Sequence, residues 1–293
     1  MRGASMFERI VVVDWSASST PTTGKDSIWI AELHVASGHL STVNPPTRTA
    51  ACDLLMHLAS GSGRCLVGVD FSLGFPAGTA DAVGLTGVPW AVTWELLAAT
   101  IVDDERNANN RFEVARELNE TMSSGPGPFW GCHPSRASSH LTSTKVPCDP
   151  LPEWRTVEAE LRRRGMRPFS AWQLLGAGAV GSQSLVGIAA MSRLLDRLVT
   201  SGRSVDVWPF TCGLRPPEAD VVLVEVWPTL VDSTTRPGDD ARNGWEARVR
   251  DERQVMAVAR HLRSIDLAAG FSPQVPIGTE ETIVSEEGWV LGA

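Results

Sequence analysis

Three apolar runs, each meeting a carboxylate at or near its end, constrain this chain more than any other feature. Ile10-Val11-Val12-Val13 leads into Asp14-Trp15-Ser16, and Cys65-Leu66-Val67-Gly68-Val69 into Asp70-Phe71-Ser72. Val221-Val222-Leu223-Val224 leads into Glu225-Val226-Trp227. Runs this apolar and β-branched read as strands buried on both faces, which places them in the central sheet of an α/β protein. A carboxylate at the end of such a strand is costly unless a metal, a hydrogen-bond donor or a counter-charge meets it. Asp14 alone could simply cap a loop, and any single acid could be satisfied by an arginine. Three of them on apolar strands favour a shared site.

Asp251, in the first turns of a helix expected over Glu246–Ile265, is the fourth candidate, with Glu252 beside it as the alternative. Acids gathered from distant positions onto a rigid sheet suit a hard cation such as Mg²⁺ or Mn²⁺, which takes one or two carboxylates plus waters and phosphate oxygens. The chemistry this allows is phosphoryl displacement.

The chain has 293 residues, 43% of them hydrophobic, so it suits one large domain with room for a sizeable insertion. A net charge of −8 argues against broad, nonspecific binding to nucleic acid. Cys52, Cys65, Cys132, Cys148 and Cys212 are scattered and outline no disulfide framework. The N-terminus lacks a basic segment followed by an apolar one, and no apolar run approaches bilayer length. The expectation is a cytoplasmic protein with no membrane partner.

Taken in order, strand 10–14 is followed by strands over 26–35 and 39–43, with a turn at Ala36-Ser37-Gly38. Pro45-Pro46 ends the hairpin, and Thr47 opens a helix closed by Gly61-Ser62-Gly63. The pattern turns helical and loop-rich after Phe75, with helices expected at 92–102, 111–122, 153–164 and 182–199. Strands resume at 204–208 and 221–228. Residues 76–203 therefore read as a mainly helical insertion or cap, lying over the sheet edge that carries Asp14 and Asp70, within a single 1–293 domain. A polar loop is expected at 233–243 and a short hairpin or edge strand at 282–291.

Gly176, Gly178 and Gly181 fit G-x-G-x-x-G, but the segment before them is a poor buried strand and Asp196 falls inside a helix, which argues against a dinucleotide fold. A glycine turn opening a helix can still receive an anion on free N–H groups, with Ser182 and Gln183 as added donors. The equal alternative is a tight turn for close packing. Cys132, His133, His140 and Cys148 match no standard zinc spacing.

The motifs VVVDWSAS (11–18), LVGVDFSLGFP (66–76), VLVEVWP (222–228) and the terminal EEGWVLG (286–292) resemble the DUF429 family, whose members are assigned a ribonuclease H-like fold. The stretches 170–188 and 207–210 resemble a subgroup sometimes labelled as molybdopterin-guanine dinucleotide synthesis proteins. The resemblance implies a ribonuclease H-like mixed sheet flanked by helices, with Asp14 and Asp70 at the strand ends and Glu225 in the third matching strand. The resulting expectation is a metal-dependent phosphate-ester hydrolase or nuclease-like enzyme. Asp14, Asp70, Glu225 and Asp251 would hold Mg²⁺ or Mn²⁺. Ser16, Ser72, Gly176, Gly178, Gly181, Ser182 and Gln183 would contact a nucleotide or a short structured nucleic acid. The alternative is a noncatalytic nucleotide- or cofactor-binding protein in molybdenum-cofactor maturation.

Overall fold

A computed structural model describes residues 6–123, 125–176, 178–231 and 247–293. Its centre is a six-stranded sheet in the order β3-β2-β1-β4-β6-β5. The strands are β1 (Arg9–Asp14), β2 (Trp29–His34), β3 (Leu40–Val43), β4 (Cys65–Val69), β5 (Val205–Val207) and β6 (Val221–Glu225). β2 is antiparallel to both β1 and β3, whereas β1, β4, β6 and β5 are mutually parallel. Parallel neighbours need long crossovers. The chain supplies them as helices: α1 (Arg48–Ala59) before β4, then α2 (Thr79–Val83), α3 (Pro89–Thr100), α4 (Arg111–Met122), α5 (Thr156–Arg163) and α6 (Val180–Thr200) before β5. After β6 come α7 (Arg250–Ser264), α8 (Leu267–Gly270) and α9 (Glu280–Thr282). The loop expected at 233–243 lies outside the described residues.

Strand alternation sorts the core into two clusters. Val11, Val13, Cys65, Val67, Val69, Val221 and Leu223 pack on one face with α1, α3, α4 and α6. Ile10, Val12, Leu66, Val222, Val224 and Val226 pack on the other with α5 and α7. Residues 76–203 thus build walls on both faces. The expectation of a cap over one edge missed this because the sheet needs helices from this segment on each side to bury its apolar runs.

The C-terminal segment also departs from the expected strand. Residues 280–287 form helical turns, and only Val290 bridges to Glu225. The reason is that Glu286 and Glu287 serve as caps. Glu286 accepts from the N–H groups of Gly78 and Ala80 at 2.8 Å each, and Glu287 from Ala77 at 3.0 Å and Thr156 at 2.8 Å. Carboxylates placed at the starts of α2 and α5 satisfy donors that a helix cannot pair internally. Their backbone passes so close to Gly74 that a Cβ there would lie 2.2 Å from the Glu286 carbonyl oxygen.

Gly74→Ala should therefore destabilise the protein by about 1–3 kcal/mol through overpacking. Gly125→Ala, whose methyl meets nothing within 4 Å, should stay within about 0.5 kcal/mol. Urea melts of the two variants check this, and equal stability would contradict the close threading of the terminal segment.

Candidate active site

The carboxyl ends of β1 and β4 carry the site. Val13 pairs with Val69, so the next residues, Asp14 and Asp70, stand side by side. In open α/β sheets this strand end is where ligands bind. The Trp15 N–H donates to Asp70 Oδ1 at 2.8 Å, which ties the end of β1 to the residue after β4. Asp14 and Asp70 are also hydrogen-bonded to each other.

The surroundings of this pair are acidic. Burial, then Asp70, then Asp251 hold the Asp14 carboxyl well above the usual carboxylate range, and Asp26 adds to the effect. Burial pushes Asp70 up to about 7, against the opposing pull of the Trp15 N–H and of Asp14. None of the main influences on Asp14 is a cation.

Asp251 rather than Glu252 completes this cluster. Asp251 Oδ2 accepts from the Asp26 N–H at 2.7 Å, where Asp26 adopts a positive φ of 56°. Glu252 instead accepts from Thr42 Oγ1 at 2.7 Å and pairs with Arg248. Asp14, Asp70, Asp251 and Asp26 line one cleft of about 750 Å³. Ser16, Ser182, Gln183, Gly176 and Gly178 line it too. A second cavity, of about 690 Å³ and lined by Trp130, Lys145, Trp154 and Arg162, holds none of the strand-end acids.

Glu225 does not join the cluster. Its register partner is Val69, one residue short of Asp70, so Glu225 does not stand beside Asp70 as Asp14 does. Its carboxylate is spent elsewhere. Arg155 grips it with two bonds, Nη1 to Oε2 at 2.8 Å and Nη2 to Oε1 at 2.6 Å, and the Leu73 N–H adds a third at 3.2 Å. Arg155 also pairs with Glu158, and all three side chains are buried. This is a structural ion network, expensive to break because its members have no water to fall back on. Ser72 sits with Glu225 at a small separate recess, which Asp70 also borders, and is not among the cleft residues.

The glycine turn is mainly a packing device. A Cβ on Gly178 would lie 2.2 Å from the Phe169 ring, and one on Gly181 2.4 Å from the Ala171 carbonyl oxygen. The Val180 and Gly181 N–H groups donate to the carbonyls of Gly178 and Gln173, so they are not free to cradle an anion. Gly181 is outside the cleft lining. Ser182 Oγ donates to the Leu174 carbonyl at 2.6 Å, and the Gln183 amide donates to the Trp15 carbonyl, bracing the segment between the two acids.

Arg111 is a cleft residue that sequence reasoning missed, as are Asp26 and Arg250. Arg111 is the first residue of α4, 8% exposed, and borders the cleft although it lies far in sequence from each of the acids. Its neighbour Asn110 does not cap α4 with its side chain, which accepts from the Val102 N–H at 2.8 Å.

Among the described residues, no set of three His, Cys, Asp or Glu side chains is arranged to hold a metal ion. Two carboxylates suffice for a Mg²⁺ that keeps several waters and takes its remaining ligands from a phosphate. The Asp14–Asp70 pair meets that smaller requirement: two adjacent acids, with no cation among the main influences on Asp14.

Because both folded-state acids bind protons more tightly than they would in the unfolded chain, stability must fall as pH rises. The loss begins above the unfolded carboxylate value of roughly 4 and runs through the folded value of about 7 for Asp70. In EDTA the melting temperature should drop across that window, and the drop should shrink in Asp70→Asn. A melting temperature that rises between pH 5 and 7.5 would show that the pair is held as paired carboxylates instead.

Comparison with known protein families, with curated proteins and with solved structures gave no match, so the geometry of the cleft carries the functional argument.

Proposed function

We propose that the cleft is the active site of a metal-dependent phosphate-ester hydrolase acting on a nucleotide-sized substrate. One observation carries this reading: Asp14 and Asp70 stand side by side and hydrogen-bonded at the ends of adjacent parallel strands, with a third acid, Asp251, on the same cleft and no cation among the main influences on Asp14. Holding such a cluster without a counter-charge costs stability. A protein that maintains it does so for a ligand that supplies the charge.

The strand order, with β2 alone reversed among the six, supports a ribonuclease H-like arrangement of the site. The cleft volume of about 750 Å³ suits a small molecule rather than a long duplex. Bound Mg²⁺ or Mn²⁺ would supply Lewis-acid polarisation of a phosphoryl oxygen and a more acidic water.

The chain's own residues do the rest. Asp14 and Asp70 would each present a carboxylate oxygen to the metal. The Trp15 N–H holds Asp70 in one orientation, and Gln183 fixes the Trp15 peptide from the other side. Asp251 is pinned by the Asp26 N–H at the margin of the cleft, in position to orient a water. In hydrolysis that water forms the new P–O bond while the ester P–O bond breaks.

A metal that binds only the folded protein raises its melting temperature by mass action. Mg²⁺ or Mn²⁺ should therefore stabilise the wild type. Asp14→Asn removes charge repulsion at little steric cost. In EDTA it should be at least as stable as wild type, gain little from metal, and lose any phosphodiester hydrolysis. Glu225→Gln should behave in the opposite way, losing about 3–5 kcal/mol because it disrupts a buried charge network, yet keeping the metal-induced shift. A wild type indifferent to metal together with a strongly destabilised Asp14→Asn would refute the metal site.

A further inference from the structure

The cations around the start of α4 are not evenly balanced. Arg48 is matched by Asp103, with Nε to Oδ2 at 2.5 Å and Nη2 to Oδ1 at 2.6 Å. Arg136 is matched by Glu113. Arg111 lies between these pairs in electrostatic reach and has no carboxylate at ion-pair distance among the described residues.

Its hydrogen bonds go to neutral groups. Nε donates to Ser182 Oγ at 2.9 Å, and Nη1 donates to Ser19 Oγ at 3.0 Å and Asn109 Oδ1 at 2.7 Å. The guanidinium lies over the Phe112 ring at 4.3 Å. These contacts fix the plane of the group and use its Nε and Nη1 protons. Nη2 donates to no acceptor among the described residues. Burial and the neighbouring arginines bring its pKa down only to about 10, so it stays charged at neutral pH.

A buried charge without a partner is retained at a cost of several kcal/mol unless something pairs with it. Arg111 borders the same cleft as Asp14 and Asp70, and so do Ser16, Ser18 and Ser182. We infer that Arg111 is the anion-recognising residue of this cleft, with Nη2 as the arm that takes a phosphate group of the ligand. The inference rests on the hydrolase reading for the nature of the ligand, but it concerns binding alone.

The cleft would then have two unlike ends. The carboxylate end repels a phosphate until a cation arrives, and the guanidinium end attracts one throughout. The substrate class that satisfies both is a small ester bearing at least one ionised phosphate, such as a nucleoside monophosphate or diphosphate. The glycine turn, whose first N–H groups are already paired with protein carbonyls, is not required to hold that phosphate.

The test is a calorimetric titration of inorganic phosphate and of a nucleoside monophosphate into wild type, Arg111→Gln and Arg111→Lys, with Mg²⁺ and in EDTA. Loss of a charged hydrogen bond predicts a weakening of about ten- to a hundred-fold in Arg111→Gln. Arg111→Lys should recover part of it, since the charge returns without the planar fork. The melting temperature of Arg111→Gln in EDTA should not fall, because an unpaired buried charge has been removed. A fall in melting temperature with unchanged affinity would assign Arg111 to packing and overturn the inference, as would a wild type that binds neither probe. If metal stabilises the wild type but affinity is indifferent to Arg111, this inference fails and the hydrolase reading stands. If affinity depends on Arg111 but metal has no effect, the reverse holds.

Discussion

Parallel pairing of β1 with β4 in one register is the constraint on which the site depends. Val13 opposite Val69 makes neighbours of Asp14 and Asp70. Both flanking strands are buried, and at their ends the two half-buried carboxyl groups meet each other and the Trp15 N–H. A slip of one residue would send one acid to the other face of the sheet. The apolar faces prevent that slip, because Ile10 and Val12 must meet one helical layer and Val11 and Val13 the other. The same hydrophobic pattern that closes the core therefore positions the chemistry.

The protein treats its buried charges in two ways. Glu225, Glu158 and Arg155 satisfy one another, and Glu286 and Glu287 satisfy the starts of α2 and α5. These acids hold the crossover segment against the sheet. Among the described residues, Asp14 and Asp70 on one side of the cleft and Arg111 on another have no ion-pair partner. A paired network is costly to break, whereas an unpaired buried charge destabilises the fold unless a ligand enters. The contrast separates scaffold from site: the paired acids are buried, whereas Asp14 and Asp70 are half-buried at the cleft.

The strands, the hairpin and most helices were legible because each carries a strong period. Arg111–Met122 was expected and observed with the same limits, and the apolar stripe of α6 marked it to within two residues at each end. Asp14 and Asp70 were legible from the carboxylates that follow β-branched runs. Glu225 looked identical to them, because Val-Val-Leu-Val-Glu and Leu-Val-Gly-Val-Asp have the same pattern in one dimension. What separates them is a one-residue offset in register and the arrival of Arg155 from seventy positions away, and neither leaves a local trace. The tail was misread as a strand because its apolar residues, Ile283, Trp289, Val290 and Leu291, carry no information about the carboxylates between them being helix caps. Arg111 was missed for a similar reason: an arginine opening an amphipathic helix is ordinary, and only tertiary packing buries it without an acid.

The central claim is that Asp14 and Asp70, and not Glu225, form a carboxylate pair that waits for a cation. Anomalous diffraction from a crystal soaked in Mn²⁺ addresses it most directly. The account predicts one strong peak within bonding distance of both the Asp14 and Asp70 carboxylates, with Glu225 still held by Arg155. A peak on Glu225, or no peak and an arginine moved onto Asp14, would contradict it.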